Sequence, residues 1–245
     1  MSDTTTGSNT GLRRDLKARH ITMIAVGGSI GTGLFVASGA TIAQGRPRSA
    51  LLPYSLIGLM VYFLMTSLGE LAAYEPVAGS FSTYGRRYVD EGFGFALGWN
   101  YCYNWAITVA VDLVAAQLVM GWWFPDVPGT LWSALLLAFV FSIYYIAVKG
   151  FGETEYWFAL LKVVTVILFI CTGFAMIFGI LSGDTPAGFE NWAIGDAPFV
   201  GGLPALIGVA MVVGFSFQGT ELIGIAAGET EHPEKNIPKA VRQVF

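Results

Sequence analysis

Residues 21–42 read ITMIAVGGSIGTGLFVASGATI, an apolar run interrupted by Gly27-Gly28-Ser29-Ile30-Gly31-Thr32-Gly33. A membrane-crossing helix takes about 20 mainly apolar residues, each rising about 1.5 Å, and this run is long enough. Backbone groups in hydrocarbon must be satisfied within their own segment, so a broken helix at that depth is tolerated only where it lines a cavity. The stretch therefore points both to a membrane fold and to a place in it where a ligand could reach backbone. Close helix packing is a second use of such glycines and serines, and stands beside the first.

Outward from this stretch, five more runs qualify as spans: 51–74, 95–124, 131–148, 156–181 and 203–227. The expected fold is all-α and integral to the membrane, with six transmembrane helices. Turn-forming stretches separate them at Gly45-Arg46-Pro47, Pro125 to Gly129, Lys149-Gly150 and Ser182 to Pro186. The chain divides into a tail at 1–20, a membrane domain at 21–227 and a loop at 228–245. Composition agrees: 54% of the residues are apolar and 12% charged, where soluble domains carry roughly 25% charged. Met1 to Thr10 is polar, with no signal-peptide pattern, so the first span is expected to be kept. Cys102 and Cys171 are far apart, with no metal or disulfide spacing, and read as small buried apolar residues.

Basic residues orient the spans. Arg13, Arg14, Lys17, Arg19, Arg86, Arg87, Lys149, Lys235, Lys239 and Arg242 fall on one side if six spans are drawn. The other side has Asp126, Asp184, Glu190 and Asp196, with Arg46 and Arg48 its only bases. The positive-inside rule places the N-terminus in the cytoplasm.

The sixth run contains a second interruption, Gly214-Phe215-Ser216-Phe217-Gln218-Gly219-Thr220-Glu221. The start of a half-helix offers free amides and positive dipole, which suit a carboxylate. The end of the other half offers carbonyls, which suit a cation. Two such breaks side by side could hold the two charged groups of an α-amino acid. The candidates are Ser29, Gly31, Thr32 and Gly33 in the first break, and Phe215, Ser216, Gly219 and Glu221 in the sixth run.

Asp112, Lys162 and Glu221 are ionisable residues inside spans. Charge at mid-bilayer costs at least ~2.5–3.5 kcal/mol on insertion scales, so each is a functional candidate. Lys162 is a candidate proton carrier, or snorkels to the interface. Glu221 is a proton or ligand group, or a carboxylate bonded to freed amides. Asp112 is equally a structural or a ligand-facing carboxylate. His20 and His232 lie in polar segments without a nucleophile or metal partners. Nothing indicates an enzyme, a metal site, a cofactor or nucleic-acid binding, and Gly27–Gly33 lacks the Lys-Ser/Thr ending of a phosphate loop.

Leu12 to Ile24 with Gly27 to Phe35, Pro76-Val77-Ala78-Gly79-Ser80-Phe81, Gly92 to Tyr101, Gly214 to Leu222 and Glu229 to Arg242 carry a resemblance. Together they resemble the amino acid permeases of the amino acid–polyamine–organocation superfamily, from Gly11 to Phe245. Phe63 to Leu71 and Phe217 to Gly224 are most similar to the lysine-transporting members. The resemblance implies a leucine-transporter-like protein of twelve spans in two inverted repeats, with helices one and six broken, of which this chain is the first half. It also implies alternating access, uptake of L-lysine coupled to protons, and a multi-pass place in the cytoplasmic membrane.

Carried over by motif, Gly31-Thr32-Gly33 binds the substrate carboxylate and Glu221 is linked to substrate and proton. Lys162 takes the place a sodium ion holds in related carriers. The chain departs from the family at Gly45–Ser49, where a Gly-Pro-Gly turn is usual, at Cys102 in place of an aromatic, and at Glu75 in place of an apolar residue. It stops before a seventh span. Self-association, or pairing with a C-terminal half, is therefore expected. The alternatives are a sister permease for another amino acid and a fragment that binds without transporting.

Overall fold

The computed structural model describes residues 16–146, 151–181, 188–189 and 202–244, with backbone alone at 44–49, 144, 146, 151–152 and 203. Arg13, Arg14, Lys149, Gly150, Asp184, Glu190 and Asp196, with the expected turn at 182–186, lie outside the described residues.

Among the described residues the chain is helical, apart from one isolated bridge between Leu16 and Thr230. Helix α1 is Ala18–Ser29. A wide π-helical turn, Gly33–Ala37, leads into α2, Ser38–Tyr74. Then come α3, Ser80–Tyr88, α4, Glu91–Trp123, α5, Gly129–Ile146, and α6, Phe151–Ile177. Helix α7 is Gly202–Ser216 and α8 is Leu222–Ile225. A 3₁₀ turn at Ala226–Glu229 precedes α9, Pro233–Val244.

Four stretches are long and apolar enough to cross a membrane: Ala18–Ala43, Ala50–Tyr74, Glu91–Trp123 and Glu153–Ile177. The fourth and sixth expected spans correspond to shorter apolar helices, Gly129–Ile143 and Pro204–Ser216. In the most apolar window of Glu153–Ile177 no residue is buried against protein, and Phe169 is 77% exposed. Apolar helices this bare would be costly in water and are at home in lipid. Cys102 and Cys171 are exposed on α4 and α6, not buried as the sequence suggested, because these helices turn apolar faces outward.

The turn expected at Gly45-Arg46-Pro47 takes an unexpected form. The backbone stays helical from Ser38 to Tyr74, yet Gly33 abuts Ser216 and the Tyr54 hydroxyl lies 3.2 Å from the Ser216 hydroxyl. A straight helix would set residues 33 and 54 roughly 31 Å apart. One serine cannot meet both across that distance, so the helical path doubles back between them. Glycine and proline are the usual causes of a sharp helix bend, and Gly45 and Pro47 lie in this interval.

The buried core sits at the end of the bundle where α1, α2, α8 and α9 converge, with Ile21, Met65, Ile223 and Ile237 fully enclosed. The stretch 228–245, after the sixth expected span, contains α9, whose Ile237, Ala240 and Val241 are buried. The pattern explains it: these apolar residues recur at helical spacing amid charges, so one face packs inward. Leu16 is held to the same end by two backbone bonds, its amide to Glu229 O at 3.1 Å and Glu231 N to its carbonyl at 3.0 Å.

Helix α3 falls where the sequence suggested only a connection. Its Arg87 pairs with Glu75, and Tyr88 donates to the same carboxylate at 2.8 Å. Tyr84 donates to the Glu75 carbonyl at 2.7 Å, and burial, with Tyr88 nearby, pushes its phenol up to about 12. Helix α4 begins where Asp90 accepts the Phe93 amide at 2.7 Å, with Glu91 in the first turn. That cap and charge satisfy an orphan amide and the positive helix end.

Candidate functional site

The first interruption starts where α1 stops. Ser29 turns its hydroxyl back to the Val26 carbonyl at 2.7 Å, and Ile30 is extended at φ −105° and ψ 91°. The chain is helical again from Thr32. The Gly27 carbonyl, at the negative end of α1, accepts from Lys162 Nζ at 3.0 Å. A cation there complements the helix dipole. Lys162 does not snorkel; it reaches across from α6 to the broken end. Close packing makes this reach possible, since a Cβ on Gly27 would lie 2.4 Å from the Ala159 Cβ, one turn before Lys162.

The second interruption occupies Phe217–Glu221, between α7 and α8. Gly219 has φ 100°, a left-handed conformation that favours glycine. The Gly219 amide donates to the Glu221 carboxylate at 2.8 Å, so Glu221 satisfies a donor that the break set free. Gln218 Nε2 donates to Thr108 Oγ1 on α4 at 2.7 Å.

The two breaks touch. A Cβ on Gly219 would lie 2.2 Å from the Gly28 carbonyl oxygen, and one on Gly28 would lie 2.6 Å from the Gly219 oxygen. A Cβ on Gly33 would lie 2.5 Å from the Ser216 Cα. Glycine at these places allows backbone-to-backbone contact deep in an apolar bundle.

A cavity of about 660 Å³ opens at this junction. Gly31, Thr32, Gly33, Phe215, Ser216 and Lys162 line it. The first amides of a helix lack intrahelical acceptors and suit an anion, which gives the Gly31–Gly33 segment its chemistry. Ser29, Gly219 and Glu221, although expected at the site, stand behind the lining. Ser29 caps α1, Gly219 packs on Gly28, and Glu221 holds the Gly219 amide.

Helix α4 supplies Asp112, a candidate from the sequence, and three residues that were not: Tyr101, Trp105 and Thr108. Their 4-3-4 spacing puts them on one helix face. That stripe of polar and aromatic residues on an otherwise apolar span was a usable signal. The Tyr101 and Trp105 rings meet edge to face with centroids 6.1 Å apart. At the stripe's end, Thr32 Oγ1 donates to Asp112 Oδ1 at 2.8 Å.

The cavity continues toward the end of the bundle that holds Leu16, where Glu155 and Glu229 line it. There His20 is buried with Nε2 3.1 Å from Glu153 Oε1, and Arg19 pairs with the same carboxylate. A second, apolar cavity of about 570 Å³ lies on the other side of Thr32 and Asp112, with Phe35, Val119, Trp132 and Phe139 in its walls.

Comparison with known proteins shows the family. A profile described as amino acid permease matches residues 20–245. The chain belongs to the amino acid permease family. Permeases are carriers, so it stands outside the enzyme classes, and with its apolar helices it is a multi-pass membrane protein. It is 73% identical, over its whole length, to the lysine-specific permease LysP of Escherichia coli (strain K12), covering 50% of that protein. It is 56% identical to the lysine-specific permease LysP of Lactococcus lactis subsp. cremoris (strain MG1363), over 97% of this chain and 48% of the relative. The histidine permease HisP of the same strain is 54% identical over 96% of this chain and 49% of the relative. The chain thus spans about half the length of the relatives it matches.

Proposed function

We propose that this permease chain takes up an amino acid, L-lysine, across the cytoplasmic membrane by alternating access coupled to protons. The observation that carries the reading is the cavity of about 660 Å³ at the meeting of two interrupted helices, lined by Gly31-Thr32-Gly33 and Phe215-Ser216. Backbone at the breaks receives the substrate's charged groups. Lys162, bonded to Gly27 O, carries the coupling proton, and Glu221 tunes the sixth-span break to which it is bonded. Six spans, an N-terminus in the cytoplasm and the first half of an inverted-repeat carrier complete the proposal, with a second copy or a C-terminal half closing the pathway. Lysine is favoured because the relatives at 73% and 56% identity are lysine-specific permeases. The histidine permease at 54% identity keeps a sister permease for another amino acid as the second reading.

The test is uptake of radiolabelled lysine by cells without lysine transport of their own, expressing this chain. Accumulation that requires a proton gradient and is competed by unlabelled lysine supports the proposal. No accumulation, with the chain shown to be in the membrane, overturns it for the chain alone.

The Glu221→Gln variant separates two roles of one side chain. Glutamine can still accept the Gly219 amide, so the break keeps its bond while the charge goes. We expect normal membrane insertion and uptake lowered roughly tenfold, the difference between a charge-assisted and a neutral hydrogen bond. Uptake equal to the parent's would leave Glu221 with the amide-holding role only.

A further inference from the structure

We propose that Asp112 is the residue that makes this site prefer a dibasic amino acid, pairing its carboxylate with the substrate's side-chain ammonium in place of Thr32. The inference rests on the proposed amino-acid uptake and deepens it by naming how the side chain is read.

Three observations lead here. First, Asp112 ends the α4 stripe that walls the cavity, and its Oδ1 accepts from Thr32 Oγ1 at 2.8 Å. The carboxylate is therefore at the cavity and is held there by the first interruption itself. Second, Thr32 and Asp112 line both cavities, the polar one of about 660 Å³ and the apolar one of about 570 Å³. Their hydrogen bond is part of the wall between the two. Third, the charges do not balance locally. Lys162 is bonded to Gly27 O, and the other acidic lining residues, Glu155 and Glu229, belong to the end near Leu16. Asp112 has a neutral hydroxyl as its hydrogen-bond partner in the membrane-embedded part.

A carboxylate whose hydrogen-bond partner among the described residues is a neutral hydroxyl gains from pairing with a cation. A neutral amino acid brings one ammonium and one carboxylate, and both are served by the backbone at the breaks. A dibasic one brings a second ammonium that neutralises Asp112. The same exchange frees the Thr32 hydroxyl, which lies beside the Gly31–Gly33 amides and can then donate to the substrate carboxylate. Cation pairing and carboxylate binding would thus reinforce each other for a dibasic substrate alone.

The test compares lysine with norleucine, a close analogue without the terminal ammonium, in equilibrium binding to the 245-residue chain in lipid nanodiscs. The parent is expected to prefer lysine by roughly 10- to 100-fold, and Asp112→Asn to lose most of that preference. Asp112→Glu, which keeps the charge, is expected to retain it. A preference unchanged in Asp112→Asn overturns the inference, as does a parent that binds both ligands equally. If Asp112→Asn binds neither ligand, Asp112→Glu decides: retained lysine preference supports the inference, and loss in both variants overturns it as a merely structural role. A parent that binds no amino acid overturns the uptake proposal itself.

Discussion

Replacing Lys162 by alanine is expected to abolish the response of lysine uptake to an imposed pH gradient. Lys162 Nζ donates at 3.0 Å to Gly27 O, the carbonyl at the broken end of α1. The substitution removes both the cation at that negative helix end and the proposed proton carrier. Loss of a bond to a charged group costs about 1.5–3 kcal/mol, or roughly 10- to 150-fold in binding. Arginine at the same place separates the two effects. It keeps a positive charge but cannot release a proton at accessible pH. Lys162→Arg is therefore expected to recover part of the substrate binding and none of the gradient response. The measurement is labelled-lysine accumulation by the reconstituted chain with and without the gradient, alongside equilibrium binding. A gradient response in Lys162→Ala equal to the parent's would remove this lysine from proton coupling.

Gly219→Ala is expected to break the junction of the two interrupted helices. Its φ of 100° is unfavourable for alanine, and the added Cβ would lie 2.2 Å from the Gly28 carbonyl oxygen and 2.9 Å from its carbon. Those neighbours are backbone and cannot swing away. Strain and overpacking each cost of order 1–3 kcal/mol, so the sum is roughly 2–6 kcal/mol. The variant should show a lowered thermal midpoint in detergent and lose lysine binding. Gly214→Ala is the control. It belongs to the same glycine-rich stretch, but a Cβ there meets nothing within 4 Å, and alanine favours helix by about 1 kcal/mol. Gly214→Ala should be as stable as the parent or more so. Equal stability of Gly219→Ala and Gly214→Ala would show that the contact does not constrain the bundle.

The interruptions were legible because their chemistry is local. Glycines clustered at Gly27–Gly33 and Gly214–Gly219 lie inside long apolar runs, and a membrane helix has no other use for such clusters than packing or unwinding. The in-span charges were legible for the same reason. Of the α4 stripe the sequence reading yields Asp112 alone, although the spacing of Tyr101, Trp105 and Thr108 puts them on the same helical face. Aromatic and hydroxyl side chains are common in membrane helices and cost little there, so they stand out less than glycine clusters or charges.

By itself, the sequence determined the helical membrane class, the two glycine-rich places, Gly27–Gly33 and Gly214–Glu221, where apolar runs break, and which residues inside apolar runs carry charge. These depend on the run lengths of apolar side chains and on the local preferences of glycine. Only the tertiary structure decided what those residues do to one another. It bent α2 back so that Gly33 and Tyr54 both reach Ser216, and turned Glu221 onto the Gly219 amide rather than into the cavity. It brought Lys162 to Gly27 and Asp112 to Thr32, partners 135 and 80 residues apart. Such pairings depend on how whole helices cross, and the packing of glycine against alanine or backbone that sets each crossing involves partners far apart in the chain.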